Sequence, residues 1–149
     1  MEIGKDFIGV GGGAIIVNDK NEVLLILHSK NSRSAPSCWS RPGGAVEFGE
    51  SIKHAIKREI MEEIGVEIKL IDFLQLNENI DKKNGFHWLA ISYSAKIISG
   101  VPKVMEPNKH DAIKWFPIGS LPKNISNFTK SSIEIYLNAH AGTEPPKRI

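Results

Sequence analysis

Cysteine is almost absent from the sequence, since Cys38 is the only one, and the chain therefore cannot form an internal disulfide. No Cys/His cluster surrounds this thiol in the sequence, which excludes a zinc site built around it. A chain without disulfides is typical of a reducing compartment, and we expect a cytoplasmic protein.

Long apolar runs are also missing. No stretch approaches the roughly 20 apolar residues that a membrane-spanning helix needs. The N-terminus, from Met1 to Asp6, shows no basic region followed by an apolar run, as a secretion signal would. The sequence therefore predicts neither a membrane segment nor export.

Positive charge is present but is not concentrated. The 19 basic and 17 acidic residues leave a formal net charge of +2, and the lysines are scattered over the whole chain. Duplex-binding proteins usually carry a basic block or stripe, so we expect no duplex nucleic acid partner. The pattern does not decide the oligomeric state, and a homodimer is compatible with it.

The length of 149 residues suits one domain, which at this size buries roughly two-thirds of its unfolded surface. We predict a single domain over residues 1–149, with its core at about 7–140. Residues 141–149 contain two prolines and little apolar surface, and they are expected to form a loose tail.

Apolar and β-branched runs predict strands over 7–17 and 22–27, joined into a hairpin by a polar turn at 18–21. A polar stretch follows at 28–42 and predicts a long surface loop of functional interest. Further elements are predicted in chain order, namely a helix over 52–64, strands over 66–76, 86–98 and 112–116, and a second helix over 129–139.

Three glutamates break the apolar pattern of the first helix. Its apolar stripe, continued by three and four residues, arrives at Glu59, Glu62 and Glu63, so carboxylates occupy part of the face expected to be buried. They repel one another, and the helix dipole near the C-terminus disfavours each by roughly 0.3–1 kcal/mol. A divalent cation would compensate, and Mg²⁺ prefers such oxygen ligands. The alternative is a solvated acidic face paired with basic residues of the same helix.

The residues around this helix extend the pattern. From Gly44 the chain reads GAVEFGESIKHAIKREIMEEIGV, which places Glu50, the Arg58-Glu59 pair and the later glutamates at set distances before Gly65. This segment resembles the Nudix box without a departure. A weaker resemblance to small MutT-type Nudix proteins extends over roughly residues 7–137. It implies an α/β/α sandwich in which a central mixed sheet lies between the box helix and the C-terminal helix.

The resemblance also implies a ligand set for one or more Mg²⁺ or Mn²⁺ ions. Glu59, Glu62 and Glu63 would ligate the metal through their carboxylates, and the backbone carbonyl of Gly44 would be a further ligand. Bound metal lowers the pKa of water and neutralises phosphoryl oxygens, which is the chemistry that hydrolysis of a diphosphate needs.

Catalytic roles follow from the same resemblance. Glu62 is the candidate general base, with Glu106 and Asp111 as candidates outside the box. Glu50 would support the ligands without binding the metal. Arg58 has a physical reason to lie beside them, because a guanidinium can form two hydrogen bonds to a carboxylate and fix its rotamer.

Four residues are candidates for substrate contacts. Arg41 stands where many family members carry an aliphatic residue, Glu106 lies in a later loop, and His87 and Trp88 could stack on a base. Aromatic residues on a strand are also commonly core residues. The other histidines have no ligand-like spacing, and we expect ordinary surface or hydrogen-bonding roles for them: His28, His54, His110 and His140.

The function implied by the resemblance is metal-dependent hydrolysis of a phosphoanhydride bond in a small-molecule nucleotide. Our first hypothesis is a nucleoside triphosphate pyrophosphohydrolase that releases a nucleoside monophosphate and pyrophosphate, and the second is an ADP-ribose or nucleotide-sugar pyrophosphatase. Two alternatives of other classes are a noncatalytic nucleotide-binding module and a metal-stabilised structural protein. The complete carboxylate set, together with Arg58, favours the hydrolase, because a binding module does not need mutually repelling glutamates.

Overall fold

The computed structural model describes residues 1–142 of the chain. In chain order its elements are β1 (Gly9–Ile16), β2 (Glu22–His28), β3 (Trp39–Ser40), β4 (Gly43–Ala45), α1 (Ile52–Ile64), β5 (Glu67–Asp81), β6 (Phe86–Ser99), β7 (His110–Pro117) and α2 (Asn127–Gly142). Within the described part of the chain, neither helix is long and apolar enough to cross a membrane.

The strands form two sheets. The larger sheet has the order β4-β1-β6-β5 and is mixed, because β1 runs parallel to β6 and antiparallel to β4. The smaller sheet, β3-β2-β7, is antiparallel. The predicted α/β class with a central mixed sheet is confirmed.

The predicted hairpin is correct only at its base. A turn joins β1 and β2, and one bridge links Val17 to Val23, but beyond it the two strands belong to different sheets. Each strand pairs over its length with a strand that comes much later in the chain, β1 with β6 and β2 with β7. Turn chemistry at 18–21 therefore located the connection but could not determine the strand pairing.

The two faces of β1 bury against different helices. Ala14 and Ile16 belong to an apolar cluster with Ile56, Ile60 and Ile64 of α1. Ile15 and Val17 belong to a second cluster that includes Ile133 of α2. Because successive side chains of a strand point to opposite faces, the helices lie on opposite sides of the sheet, as the predicted sandwich requires.

Helix α1 has the predicted bounds and the predicted ends. The side chain of Ser51 accepts a hydrogen bond from the backbone N–H of His54, and Gly65 has a φ of 71° in the left-handed region. The N–H of Gly65 bonds to the carbonyl of Met61. Fully buried isoleucines anchor the helix, and each contributes about 1.5–3 kcal/mol of burial free energy. The carboxylates of α1 are thus carried by a rigid element.

The second helix is longer than predicted, since α2 runs from Asn127 to Gly142 rather than over 129–139. The first two residues of the predicted tail, 141 and 142, therefore continue this helix, and 143–149 lie outside the described residues. The predicted loop at 28–42 contains the short strand β3, where the Trp39 ring packs edge-on against Phe116 at 4.9 Å. The single-domain organisation stays a prediction.

Candidate active site

Arg58 of α1 lies at the centre of a group of carboxylates. Its Nε and one terminal nitrogen donate to the two oxygens of Glu50 at 2.7 and 2.9 Å. Its other terminal nitrogen donates to Glu59 at 2.9 Å and to Glu62 at 3.1 Å. The hydrogen bonds to Glu50 are the main reason that the pKa of the guanidinium is raised above its ordinary value. One cation therefore connects three of the four predicted box carboxylates.

Both carboxylate oxygens of Glu50 accept hydrogen bonds from this guanidinium. The residue lies between β4 and α1 in the chain. The hydrogen bonds from Arg58, together with the backbone N–H of Glu47, lower the pKa of Glu50 from 4.5 to about 2. The carboxylate thus stays ionised and paired at neutral pH, which suits the supporting role that the resemblance implies.

This pairing predicts a specific pH dependence. A depressed folded-state pKa adds stability that is present above the unfolded value of 4.5 and is lost as pH falls toward 2. We expect Glu50→Gln to lower the free energy of unfolding at neutral pH and to flatten its pH dependence between about pH 5 and 2. Urea unfolding at a series of pH values measures this. The control, Glu67→Gln on the exposed start of β5, should keep the wild-type slope.

Glu59 lies directly against Gly44 of β4. A Cβ atom added to Gly44 would lie 2.3 Å from Oε2 of Glu59, so the residue at position 44 has to be glycine for this approach. Burial raises the pKa of Glu59, and the nearby charge of Glu63 adds to the effect while Arg58 opposes it. The structure thus brings together two of the predicted metal ligands, Glu59 and the Gly44 backbone.

Glu63 is buried, with 8% of its surface exposed. Its Oε1 accepts a hydrogen bond from the backbone N–H of Gly43 at 2.7 Å, and its Oε2 lies 3.3 Å from Nε2 of His110. The side chain of Glu62, in contrast, is 51% exposed. The solvent exposure of the predicted carboxylates therefore increases from Glu63, which is buried, through Glu59 to Glu62, which faces water.

A large cleft opens beside these groups. Its volume is about 1420 Å³, and Gly44, Glu63 and Arg41 line its floor. Further lining residues come from the segments around residues 2–5, 11–12, 28–38, 78–90, 108–110 and 125–128. Ligand sites of small molecules usually have volumes of roughly 300–1,000 Å³, so this space is ample for a nucleotide.

Arg41 is buried at the base of the cleft, with 7% of its surface exposed. Its Nε donates to Oγ of Ser92 at 2.7 Å, and its guanidinium lies over the ring of Phe128 at 5.1 Å. Burial lowers its pKa to about 10, although the charge of Glu63 acts in the opposite direction. A buried cation beside the cleft is in place for an anionic ligand, and the predicted role of Arg41 in substrate contact stays a prediction.

The two aromatic candidates on β6 face different surroundings. Trp88 lines the cleft and packs so closely against the start of β1 that a Cβ added to Gly9 would lie 2.6 Å from its indole ring. His87 instead places Nε2 at 2.9 Å from Glu78 on the neighbouring strand. Adjacent strand residues point to opposite faces, which explains the difference. A substrate role for either residue stays a prediction.

Glu106 is brought next to the box helix by backbone hydrogen bonds. The N–H of Met105 donates to the carbonyl of Glu63 at 3.0 Å, which ties this loop to the end of α1. One ligand atom each of Glu63, Glu106 and His110 lies within 4.8 Å of the others. Asp111, the other candidate base, is exposed on β7.

His110 does not lie at the surface, and the alternative expectation for it, an ordinary hydrogen-bonding role, stays a prediction. This residue is buried beside Glu63, and its ring centroid lies 5.7 Å from that of His28, its partner across β2 and β7. Spacing could not reveal this, because the two histidines lie far apart in the chain and meet only through strand pairing. The one signal available was the four-residue interval from Glu106 to His110.

The possible ligand atoms of this site fit a hard divalent cation. Carboxylate oxygens from α1, the Gly44 backbone close to Glu59, and a further carboxylate at Glu106 form the oxygen-rich set that Mg²⁺ and Mn²⁺ prefer. Buried and mutually close carboxylates carry a repulsion that such an ion would relieve. The fold and the site together define an α/β protein with a carboxylate-bearing helix at the floor of a nucleotide-sized cleft.

Comparison with known proteins identifies the family. The NUDIX domain profile matches residues 8–137, and the chain belongs to that family. The crystal structure of a MutT NUDIX hydrolase from Burkholderia pseudomallei has a TM-score of 0.80 and 37% identity, and the match covers 87% of this chain and 98% of that one.

Two curated relatives are similar to this chain at the sequence level. The ADP-ribose pyrophosphatase of Methanocaldococcus jannaschii is 32% identical over 108 residues, which is 72% of this chain and 62% of that protein. The 8-oxo-dGDP phosphatase NUDT18 of Mus musculus is 31% identical over 111 residues, 73% of this chain and 32% of that protein. The chain thus spans about a third to three-fifths of the length of these relatives.

Proposed function

We propose that this protein is a divalent-metal-dependent hydrolase that cleaves a phosphoanhydride bond in a nucleotide. The substrate class that we place first is a nucleoside triphosphate, cleaved to a nucleoside monophosphate and pyrophosphate. The observation that carries the proposal is the group of box carboxylates on and beside α1, three of them bonded to Arg58 and the fourth, Glu63, lining a cleft of about 1420 Å³.

The chain's own residues would hold and orient the reacting groups. Glu59, Glu62, Glu63 and the Gly44 carbonyl would bind Mg²⁺ or Mn²⁺, and the metal would polarise the phosphoryl oxygens and acidify water. Arg58 would keep the carboxylates in fixed rotamers, so that little reorganisation is needed when substrate binds.

The general base is proposed to be Glu62. Its half-exposed carboxylate can exchange protons with water, and the contact with Arg58 limits its movement. Glu106 is the alternative, because it lies beside Glu63 and is 31% exposed. The base has to reach the attacking water within hydrogen-bond distance, and this requirement distinguishes the two candidates.

A second candidate substrate class is ADP-ribose or a nucleotide sugar. The specific observation in its favour is the similarity to a relative named as an ADP-ribose pyrophosphatase. The cleft volume also suits a substrate with two sugar moieties. A homodimer stays a prediction, as does a cytoplasmic location.

The test is a substrate panel with identified products. Purified protein is incubated with nucleoside triphosphates, 8-oxo-dGDP, ADP-ribose and nucleotide sugars, with Mg²⁺ or with a chelator, and the products are separated by chromatography. We expect a nucleoside monophosphate and pyrophosphate from triphosphates, only with metal. Glu62→Gln should be nearly inactive, because the amide cannot accept the proton from water.

Each outcome assigns a function. Cleavage restricted to ADP-ribose or nucleotide sugars replaces the first substrate class by the second. No turnover of any substrate by protein that is folded, as judged by circular dichroism, would overturn the hydrolase and leave the noncatalytic nucleotide-binding module, which nucleotide binding by calorimetry then tests.

A further inference from the structure

A group of possible metal ligands in the described part of the chain contains a nitrogen as well as oxygens. Glu63, Glu106 and His110 each offer one ligand atom, and these atoms lie within 4.8 Å of one another. Two opposite ligands of a single metal ion are about 4.2 Å apart when each bond is about 2.1 Å. The three side chains therefore stand close to the separation that one ion requires.

Backbone hydrogen bonds fix the segment that carries Glu106 and His110. The N–H groups of Lys109 and His110 donate to the carbonyl of Glu106 at 2.9 and 3.1 Å, which closes a turn between the two ligand residues. The carbonyl of Lys109 accepts a hydrogen bond from the backbone N–H of Ser29, which directly follows β2. The backbone N–H of Met105 donates to the carbonyl of Glu63. Such preformed spacing is what a metal site needs from its scaffold.

His110 is a buried imidazole that has a partner at only one of its two nitrogens among the described residues. Its side chain is 5% exposed, Nε2 lies 3.3 Å from Oε2 of Glu63, and Nδ1 has no hydrogen-bond partner among the described residues. If the ring carries its proton on Nδ1, the Nε2 lone pair faces that carboxylate, and a cation between them would turn this repulsion into attraction.

We propose that Glu63, Glu106 and His110 form a mixed nitrogen–oxygen site for a divalent transition-metal ion. Imidazole nitrogen suits ions such as Zn²⁺ and Fe²⁺ better than Mg²⁺, and Mn²⁺ is the first of the transition-metal ions whose affinity for a nitrogen–oxygen site rises along the series, while the two carboxylates accept any of them. His110 is the ligand that sets this preference. The inference deepens the proposed function and rests on it, since both assign a metal ion to Glu63.

A second imidazole stands next to the site. Nδ1 of His28 bonds to the carbonyl of Ser34 at 2.7 Å, which requires the proton on Nδ1, so Nε2 would be the nitrogen that binds a metal. His28 lines the cleft and faces His110 across the β2–β7 pair. It is therefore the alternative source of a nitrogen ligand that the experiment has to separate from His110.

The experiment uses Mn²⁺ itself as the probe, added at less than one equivalent to the full chain. Pulsed electron paramagnetic resonance detects a directly bound ¹⁴N as a modulation of the Mn²⁺ echo. We expect this modulation in the wild type and its replacement by the ¹⁵N pattern when the protein is produced with [¹⁵N]histidine. The isotope comparison needs no mutation, so it stands even where a variant fails to fold.

Variants then assign the nitrogen. His110→Asn should lose the modulation and bind Mn²⁺ about 10–100-fold more weakly in calorimetry, with a much smaller change for Mg²⁺. His140→Asn, on the exposed end of α2, should keep both the modulation and the affinity. His28→Asn should keep the modulation if His110 is the ligand.

The proposal would be overturned if the unlabelled wild type showed no nitrogen modulation. It would also be overturned if His28→Asn lost the modulation while His110→Asn retained it. These results are distinct from failure of the proposed function. Turnover with Mg²⁺ in a protein that shows no nitrogen coupling leaves the hydrolase standing, whereas nitrogen coupling without any turnover leaves the metal site standing.

Discussion

Glu63→Gln should lower kcat/KM roughly a thousandfold for the substrate that the panel identifies. Metal stabilisation of the transition state supplies several kcal/mol, and each 1.36 kcal/mol corresponds to about a factor of ten. The glutamine side chain of the variant would keep an oxygen for the N–H of Gly43, which donates to Glu63 at 2.7 Å, so the local structure should survive. The measurement is steady-state kinetics with Mg²⁺, combined with calorimetric titration of the metal.

The matched control is Glu67→Gln, which removes one carboxylate from the exposed start of β5. We expect its kinetics and metal affinity to equal those of the wild type. A folded Glu63→Gln protein that retains turnover and metal affinity would contradict the assignment of Glu63 as a ligand, and it would move the metal to Glu59 and Glu62.

Arg58→Lys is expected to weaken both metal binding and catalysis. Arginine donates here to Glu50 through two nitrogens and to Glu59 and Glu62 through a third. A lysine ammonium is a point donor and cannot reproduce this planar fork. Because groups that orient metal ligands typically contribute 10–100-fold to metal affinity, we expect a loss of about that size in Mg²⁺ affinity and in kcat/KM.

Lys57→Gln is the control for this change, since Lys57 is the neighbouring cation on α1 and its side chain is exposed. Both variants lose or alter one basic residue of the same helix, but only position 58 contacts the carboxylates. Equal metal affinity in Arg58→Lys and the wild type, measured at the same ionic strength, would show that the carboxylates hold their rotamers without the guanidinium.

The box helix shows how much local sequence can specify. Isoleucines at three- and four-residue intervals, Ser51 before them and Gly65 after them predicted α1 with its correct bounds. All of these signals act within a few residues, because helix hydrogen bonds and caps are local. The same locality allowed the carboxylates on its buried stripe to be recognised as a metal-binding pattern.

Strand pairing is where the sequence was insufficient. The polar turn at 18–21 suggested a hairpin, yet β1 pairs along its length with β6 and β2 with β7. Both strands are apolar on both faces, so alternation could not show which neighbour each would choose. The choice depends on burying both faces of β1, one under α1 and the other under α2.

The sequence by itself determined the family, the helix that carries the carboxylates, and the identity of Glu59, Glu62 and Glu63 as ligand candidates. Only the tertiary structure decided that Arg41 is buried under the cleft and that His110 stands beside Glu63. The reason is physical. Helix contacts repeat over three or four residues, whereas the chemistry of a cleft is assembled from strand pairs and loops that are distant in the chain.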